Sequence, residues 1–397
     1  MPFYTGGVKL DDFFFTDEDL VNQYATLSGP LWSWGGNSYG GTSDGSLGEG
    51  SYSAYSSPIQ NLMGDTIWRQ VSSNVYCIAE IRYDGTLWLC GRCFNGQLGN
   101  NRTIADDGSI SFRSPVQTIS GGTDWKQVSV GGYTNGAIKT DGALWLWGEG
   151  VGGQLGDNTV VKKSSPVQTI AGGKNWKYVS IAGYNVTAIK TDGTLWLWGS
   201  NHIGQLGDNT TVNKSSPIQV MTGGKWSIIS NSSYNNAVAG IKTDGTLWVW
   251  GYNASGQLGD NTTVNKSSPV QIITGGTWRS VDSMTSNMAG IKSDGTLWTW
   301  GANTYGQLGD NTTIDKSSPV QTVAGGQNWR QVACGQNHMS AVKTDGTLWT
   351  WGINNVGQLG DNTTVNKSSP IQTLMQVKNW RQVSCGYITT SAIQDLG

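Results

Sequence analysis

Short runs of alternating apolar and polar residues fill most of the chain. In one stretch they run Trp176-Lys-Tyr-Val-Ser-Ile181, then Thr187-Ala-Ile-Lys-Thr191, then Thr194-Leu-Trp-Leu-Trp-Gly199. A period of two over five or six residues predicts strands rather than helices. Asp192-Gly193 separates the second and third runs. That pair marks a tight hairpin whose residues want positive φ. A Gly204-Gln-Leu-Gly-Asp-Asn-Thr210 loop follows, and Ser216-Pro-Ile-Gln-Val220 reads as a fourth strand. Its proline sits near the strand start, where a missing N–H does least harm.

The pattern repeats. Leu-Trp-x-Trp-Gly begins at Leu31, Leu144, Leu195, Leu247, Leu297 and Leu348, and a seventh copy begins at Leu87 with Cys90 in its second tryptophan slot. Seven units of four short strands predict an all-β, seven-bladed β-propeller. The chain ends on Ser391-Ala-Ile-Gln-Asp-Leu-Gly397, which matches a second strand and its turn, while Leu31-Trp-Ser-Trp-Gly35 supplies the missing third strand. One blade is therefore expected to pair N- and C-terminal strands, closing the ring without free edges. The propeller spans 30–397, and 1–29 form an arm outside the repeat.

Three tryptophan slots per unit, one of them filled by Cys90, account for all 20 tryptophans. Within a strand, Trp196 and Trp198 share one face and Leu195 and Leu197 the other. Each buried indole contributes several kcal/mol at roughly 25 cal/mol per Å², so packing between blades is the expected role.

Asp345-Gly-Thr-Leu-Trp-Thr-Trp-Gly352, Gly357-Gln-Leu-Gly360 and Val332-Ala-Cys-Gly335 with His338 resemble the regulator-of-chromosome-condensation repeat, in a bacterial or viral-type member. The resemblance covers 31–397. It implies a disc used as a binding surface, in a family whose members include a GTPase exchange factor, an ultraviolet-B photoreceptor and a β-lactamase inhibitor. The exchange factor's wedge-like insertion has no counterpart here. The photoreceptor's Gly-Trp-Arg-His-Thr motif is met only by Asn328-Trp-Arg-Gln-Val332 and Asn379-Trp-Arg-Gln-Val383, which lack His-Thr.

Composition narrows the partners. With 25 basic and 27 acidic residues the net charge is −2, which offers no footprint for nucleic acid or an anionic membrane. No run approaches eighteen apolar residues, so membrane insertion is not expected, and no basic start with an apolar run marks a secretory signal. A virion or surface assembly and the cytoplasm both stay open as locations. Five cysteines at irregular spacing read as reduced, buried thiols.

Candidate chemistry is sparse. His202 and His338 stand in different units, so no Ser/His/Asp arrangement follows, and His338 reads as structural. Cys90-Gly-Arg-Cys93 has CxxC spacing, but Cys90 fills a tryptophan slot and packing is favoured. The Asp-Asn-Thr-Thr loops at Asp208, Asp260, Asp310 and Asp361 lie one to a blade, so their oxygens do not converge on a calcium ion; Asx-turns explain them. Lys163, Lys214, Lys266, Lys316 and Lys367 stand in register, offset by neighbouring aspartates. No enzyme and no cofactor is expected.

Alternate connections of an up-and-down blade emerge at opposite ends. The Asp-Gly turns and Gly-Gly-x-x-Trp connections share one face, nearly identical between units. The other face carries the variable loops. About five extra residues lie within 36–45 and about six within 101–112. Tyr39, Tyr52, Tyr55, Phe94, Asp106, Asp107, Phe112 and Arg113 form the candidate contact patch there, since aromatics anchor interfaces. The arm carries Phe13, Phe14, Phe15, Asp17 and Asp19, a candidate anchor that enters at the Asp-Gly side. The expected function is a non-enzymatic interaction or structural module, in one form a virion- or surface-borne attachment component docked by its arm. The competing class is a soluble regulator, an exchange factor or enzyme inhibitor. The expected partner is a protein or larger assembly; a glycan receptor has no motif behind it.

Overall fold

The computed structural model describes residues 28–39, 42–43, 47–62, 68–74, 76–103, 111–220, 223–232 and 237–395. Seven four-stranded antiparallel sheets form the blades, and an extra two-stranded hairpin pairs Ser38–Tyr39 with Thr42–Ser43. Blade 4 shows the common plan: Trp176–Ile181, Asn185–Lys190, Leu195–Gly199 and Lys214–Gln219, in that order from the axis outward. The first strands of successive blades lie against one another in a closed ring of seven, so they line the central channel.

Blade 1 draws on both ends of the chain. Trp380–Cys385 and Thr389–Asp395 come from the C-terminal end, Ser28–Gly35 and Tyr55–Gln60 from the N-terminal one. Trp32 stands opposite Ala392, Ser33 opposite Ser391 and Trp34 opposite Thr390. The expected closure is present.

Each junction between blades has its own apolar cluster. The tryptophan face of one blade packs on the Leu/Ile face of the preceding one: Trp226 and Trp250 lie against Ile189, Leu195 and Leu197. The buried indole of the third strand also donates Nε1–H across the junction, as from Trp250 to the Gln205 carbonyl (3.0 Å) and from Trp34 to Gln358 (3.0 Å). Tight approach explains the loop glycines: a Cβ on Gly207, which has φ +67°, would stand 2.9 Å from Nε1 of Trp250.

The Asp-Gly turns differ from expectation in one respect. Only the glycine has positive φ, for example Gly193 at +83°. Gly193 N–H bonds Lys190 O (2.9 Å) and Lys190 N–H bonds Thr194 O (3.0 Å). The loop is therefore Thr191-Asp192-Gly193, a type I turn closed by a left-handed glycine bulge rather than a two-residue primed turn. Asp192 stays right-handed because Oδ1 accepts both the N–H (2.9 Å) and Oγ1–H (2.7 Å) of Thr194. Each of these turns lies beside the next blade's first tryptophan, as Trp226 N–H to Gly193 O (2.9 Å) shows. The turns and inter-blade connections thus share one face, called here the turn face; the remaining connections make the loop face.

Candidate interaction faces

The loop face is built on rigid supports. In blades 4 to 7 an asparagine (Asn201, Asn253, Asn303, Asn354) staples the long loop shut. Asn253 Nδ2 reaches Asp260 Oδ1 (3.1 Å), Thr262 O (3.1 Å) and Val264 O (3.2 Å), while its Oδ1 accepts Leu258 N–H (2.9 Å). The loop aspartates are committed within their own turns, Asp260 Oδ1 to Thr262 (2.7 Å). Each in-register lysine meets its own aspartate, from Lys266–Asp260 at 3.3 Å to Lys163–Asp157 at 4.0 Å. These charges pair off locally. Each loop then latches to the fourth strand of the next blade, as Asn209 N–H does to Ser267 O (2.9 Å).

Blades 1 and 2 depart from this plan where the extra residues lie. Tyr55 and Phe112 occupy the slot held by lysine elsewhere. Tyr55 Oη donates to Glu49 Oε2 (3.3 Å), replacing the lysine–aspartate pair. Phe112 packs on the cluster of Cys77, Cys93, Leu98 and Trp147. Arg113 lies over the Tyr52 ring at 4.9 Å, and its carbonyl accepts Gly50 N–H (3.1 Å), which joins the two blades at the rim. Phe94 is 56% exposed, with the Lys162 ammonium 5.5 Å from its ring centroid. The structure thus joins Tyr52 with Arg113, sets Phe94 apart toward blade 3, and turns Phe112 inward. Tyr39 lies in the extra hairpin. Asp106, Asp107, Phe13, Phe14, Phe15, Asp17 and Asp19 lie outside the described residues.

A second feature of this face escaped the sequence reading. The loops after the innermost strands ring the axis, and among the described residues four carry tyrosine: Tyr76, Tyr133, Tyr184 and Tyr387. Tyr133 lies 5.4 Å from both Tyr76 and Tyr184, ring to ring. Tyr76 is buried in one cluster with Met284 of blade 6 and Met339 of blade 7, and Tyr133 and Tyr387 pack against it. Tyr76 belongs to blade 2, so it reaches across the axis. Tyr387 Oη meets Gln336 Nε2, Arg92 lies over the Tyr76 ring at 4.3 Å, and Tyr184 remains 38% exposed at the edge. An aromatic plateau thus caps the channel. The recurring Gly-Tyr after a Trp strand was its signal, invisible until the topology brought those loops together.

The channel wall is held by side chains. Gln70 Nε2 and Oε1 bond Val128 O and N (both 3.0 Å), and Gln127, Gln331 and Gln382 repeat this at three other junctions. Two residues further on, Ser72 accepts Val130 N–H (3.2 Å). In blade 6 Asp282 takes that serine's place; it accepts Ser230 Oγ–H (2.9 Å) and Cys334 N–H (2.7 Å), and burial pushes its carboxyl up to about 6.

Titratable groups elsewhere are structural. His338 is buried and meets Thr390 Oγ1 at 3.1 Å, and burial lowers its pKa to about 4, so it stays neutral. Its ring occupies the space beside Gly335, where a Cβ would approach within 2.2 Å. Cys90 and Cys93 pack on opposite sides of blade 2, Cys90 with Trp68 and Cys93 with Trp125, so the CxxC spacing does not bring them together. Beside Cys90 lies a buried Glu80, in a position held by Ala137, Ala188 or Ala341 in other blades. Asn61 Nδ2 donates to Glu80 Oε1 (3.0 Å), and burial pushes the carboxyl up to about 8.

Family models for the regulator of chromosome condensation (RCC1) repeat match residues 141–189, 192–233, 244–283, 294–342 and 345–393. The chain belongs to the RCC1-repeat family. Among curated relatives of this RCC1-repeat protein, the ultraviolet-B receptor UVR8 of Arabidopsis thaliana is 28% identical over 89% of this chain and 67% of its own length. The mitochondrial RCC1 domain-containing protein RUG3 of the same plant is 28% identical over 59% of this chain and 52% of its own. The human E3 ubiquitin-protein ligase HERC2 is 26% identical over 80% of this chain, which spans 7% of that protein. Among solved structures, yeast RCC1 (Prp20) bound to Kap60 superposes with a TM-score of 0.82 at 16% identity, covering 100% of this chain and 95% of that one. Human WBSCR16 gives 0.79 at 18% identity, over 92% and 99% of the two chains. These likenesses show the fold.

Proposed function

We propose that this RCC1-repeat disc is a non-enzymatic protein-binding module that holds its partner on the loop face. The aromatic plateau at the axis carries the reading: four tyrosines on loops anchored to the innermost strands form a rigid, partly exposed, amphipathic surface, the residue type that dominates interface energetics. The Tyr52–Arg113 pair and exposed Phe94 extend that surface to the rim of blades 1 and 2. A soluble regulator acting on one target protein is the competing form of the reading. It is supported by the family and by solved yeast relatives, one bound to Kap60 and one described by its binding to Gsp1p and histones. The finer form of the module reading is a virion- or surface-borne component, docked through Phe13, Phe14 and Phe15 and displaying the loop face.

Photo-crosslinkers placed at Tyr184 and Phe94 of the full chain identify the partner. Tyr133→Ala with Tyr387→Ala is expected to weaken its binding at least tenfold, with the circular dichroism of the disc unchanged. Undiminished binding would reject the loop face. Phe13→Ser with Phe14→Ser and Phe15→Ser tests the finer form: co-sedimentation with source particles should be lost while partner binding stays.

A further inference from the structure

The turn-face mouth of the channel is ringed by cations. Six of the seven innermost strands carry Arg or Lys at their second position: Arg69, Lys126, Lys177, Arg279, Arg330 and Arg381, with Ser227 in the seventh. All six are half-buried. The arginines lie along the wall. Arg330 donates to the carbonyls of Trp380 (2.6 Å) and Arg381 (2.8 Å), Arg381 to those of Trp68 (2.7 Å) and Arg69 (2.9 Å), and Arg69 to Trp125 and Lys126. Burial disfavours the charge on Arg381, Asp395 favours it, and repulsion from Arg330 and Arg69 on either side works against it again. Like charges crowded in a partly desolvated ring create a potential that attracts an anion. The cations at the ends of the second strands, from Arg82 to Lys343, each lie over two tryptophan rings, beside the aspartate of the same turn.

The chain itself supplies an anion at this place. Residues 1–27 contain five carboxylates, Asp11, Asp12, Asp17, Glu18 and Asp19, against one lysine, Lys9. That leaves the remainder with 24 basic and 22 acidic residues, so the mild overall charge hides two opposite halves. The segment joins the disc at Ser28, which stands opposite Asp395, and the Asp395 carboxylate is 3.5 Å from Nε of Arg381. It therefore enters on the turn face, beside the ring. Eight residues separate Asp19 from Ser28, and an extended chain spans about 3.3 Å per residue, so reach does not limit it.

We infer that the acidic N-terminal segment of the same chain, centred on Asp17-Glu18-Asp19, seats on the axial ring of Arg69, Lys126, Lys177, Arg279, Arg330 and Arg381. The tether raises its effective concentration to the millimolar range, so modest ionic contacts suffice. The segment then competes with any acidic peptide for the turn-face mouth. This inference stands apart from partner binding on the loop face.

Carbodiimide coupling of the full chain tests it, because zero-length links form only between touching carboxylates and amines. Links from residues 11–19 to Lys126 or Lys177 within monomers are expected. Links found only in dimers, or only to other lysines, overturn the assignment. Fluorescent polyglutamate gives a second reading. A full-chain variant with Asp11→Asn, Asp12→Asn, Asp17→Asn, Glu18→Gln and Asp19→Asn should bind it at least tenfold more tightly than the parent, and adding Lys126→Gln with Lys177→Gln should remove the gain. Equal binding by the parent and the neutralised variant overturns the proposal.

Discussion

Glu80 shows how one substitution rearranges a junction. Cys90 leaves the space of an indole at the contact of blades 1 and 2, and Glu80, held by Asn61, fills it where other blades carry alanine or glycine. Burying a carboxyl there is tolerated because the group stays protonated. Its folded pKa of about 8 lies above the unfolded value, so the native state holds the extra proton. The contribution of this group to stability is therefore greatest in acid and falls as pH rises from about 4.5 through about 8, by at most about 1.4 kcal/mol per pH unit. Urea titrations at pH 5.5 and 8.5 should show this fall in the parent and a much smaller one in Glu80→Gln. An equal fall in both would place the pH dependence elsewhere.

At the scale of elements, the long loops behave as parts of the framework. Asn253 holds one of them through its side-chain amide, and its removal leaves Leu258 N–H and Val264 O without that partner. Asn253→Ala is expected to cost about 1–3 kcal/mol and to speed hydrogen exchange at Leu258 and Val264, with distant blades unchanged. The strands, the hairpins and the tryptophan slots were legible because each is a local pattern of period two with a turn signal. So was the inward Leu/Trp division, since strand alternation decides it. The aromatic plateau and the axial cations were not. Tyr76 and Met284 are far apart in sequence, and only ring closure brings their loops together. The turn type was misread because Asp192 bonds Thr194 and keeps its ordinary φ, a choice that Asp-Gly alone does not reveal. In the candidate patch, Phe112 looked like an anchor by residue type, whereas strand register turns it against Cys93 and Leu98.

For the whole molecule, closure concentrates in blade 1. Ser33 and Ser391 face each other with Oγ atoms 3.2 Å apart, although 358 residues separate them in the chain. Ser33→Cys with Ser391→Cys should form a disulfide on oxidation, seen as faster migration on a non-reducing gel. Chain-entropy arguments cap the gain in stability at about 6 kcal/mol for so long a loop, and the denaturation midpoint should rise accordingly. Failure to form the bond in the folded protein would mean that the two strands do not pair as described. The same arrangement makes the polypeptide's starting point interchangeable. The break between Asp395 and Ser28 falls where the other six blades carry their three-residue turn. A gene rewritten to join those ends and open at Asp192-Gly193 or Asp345-Gly346 would encode the same disc with a different first residue, its shared blade moved one or more places around the circle.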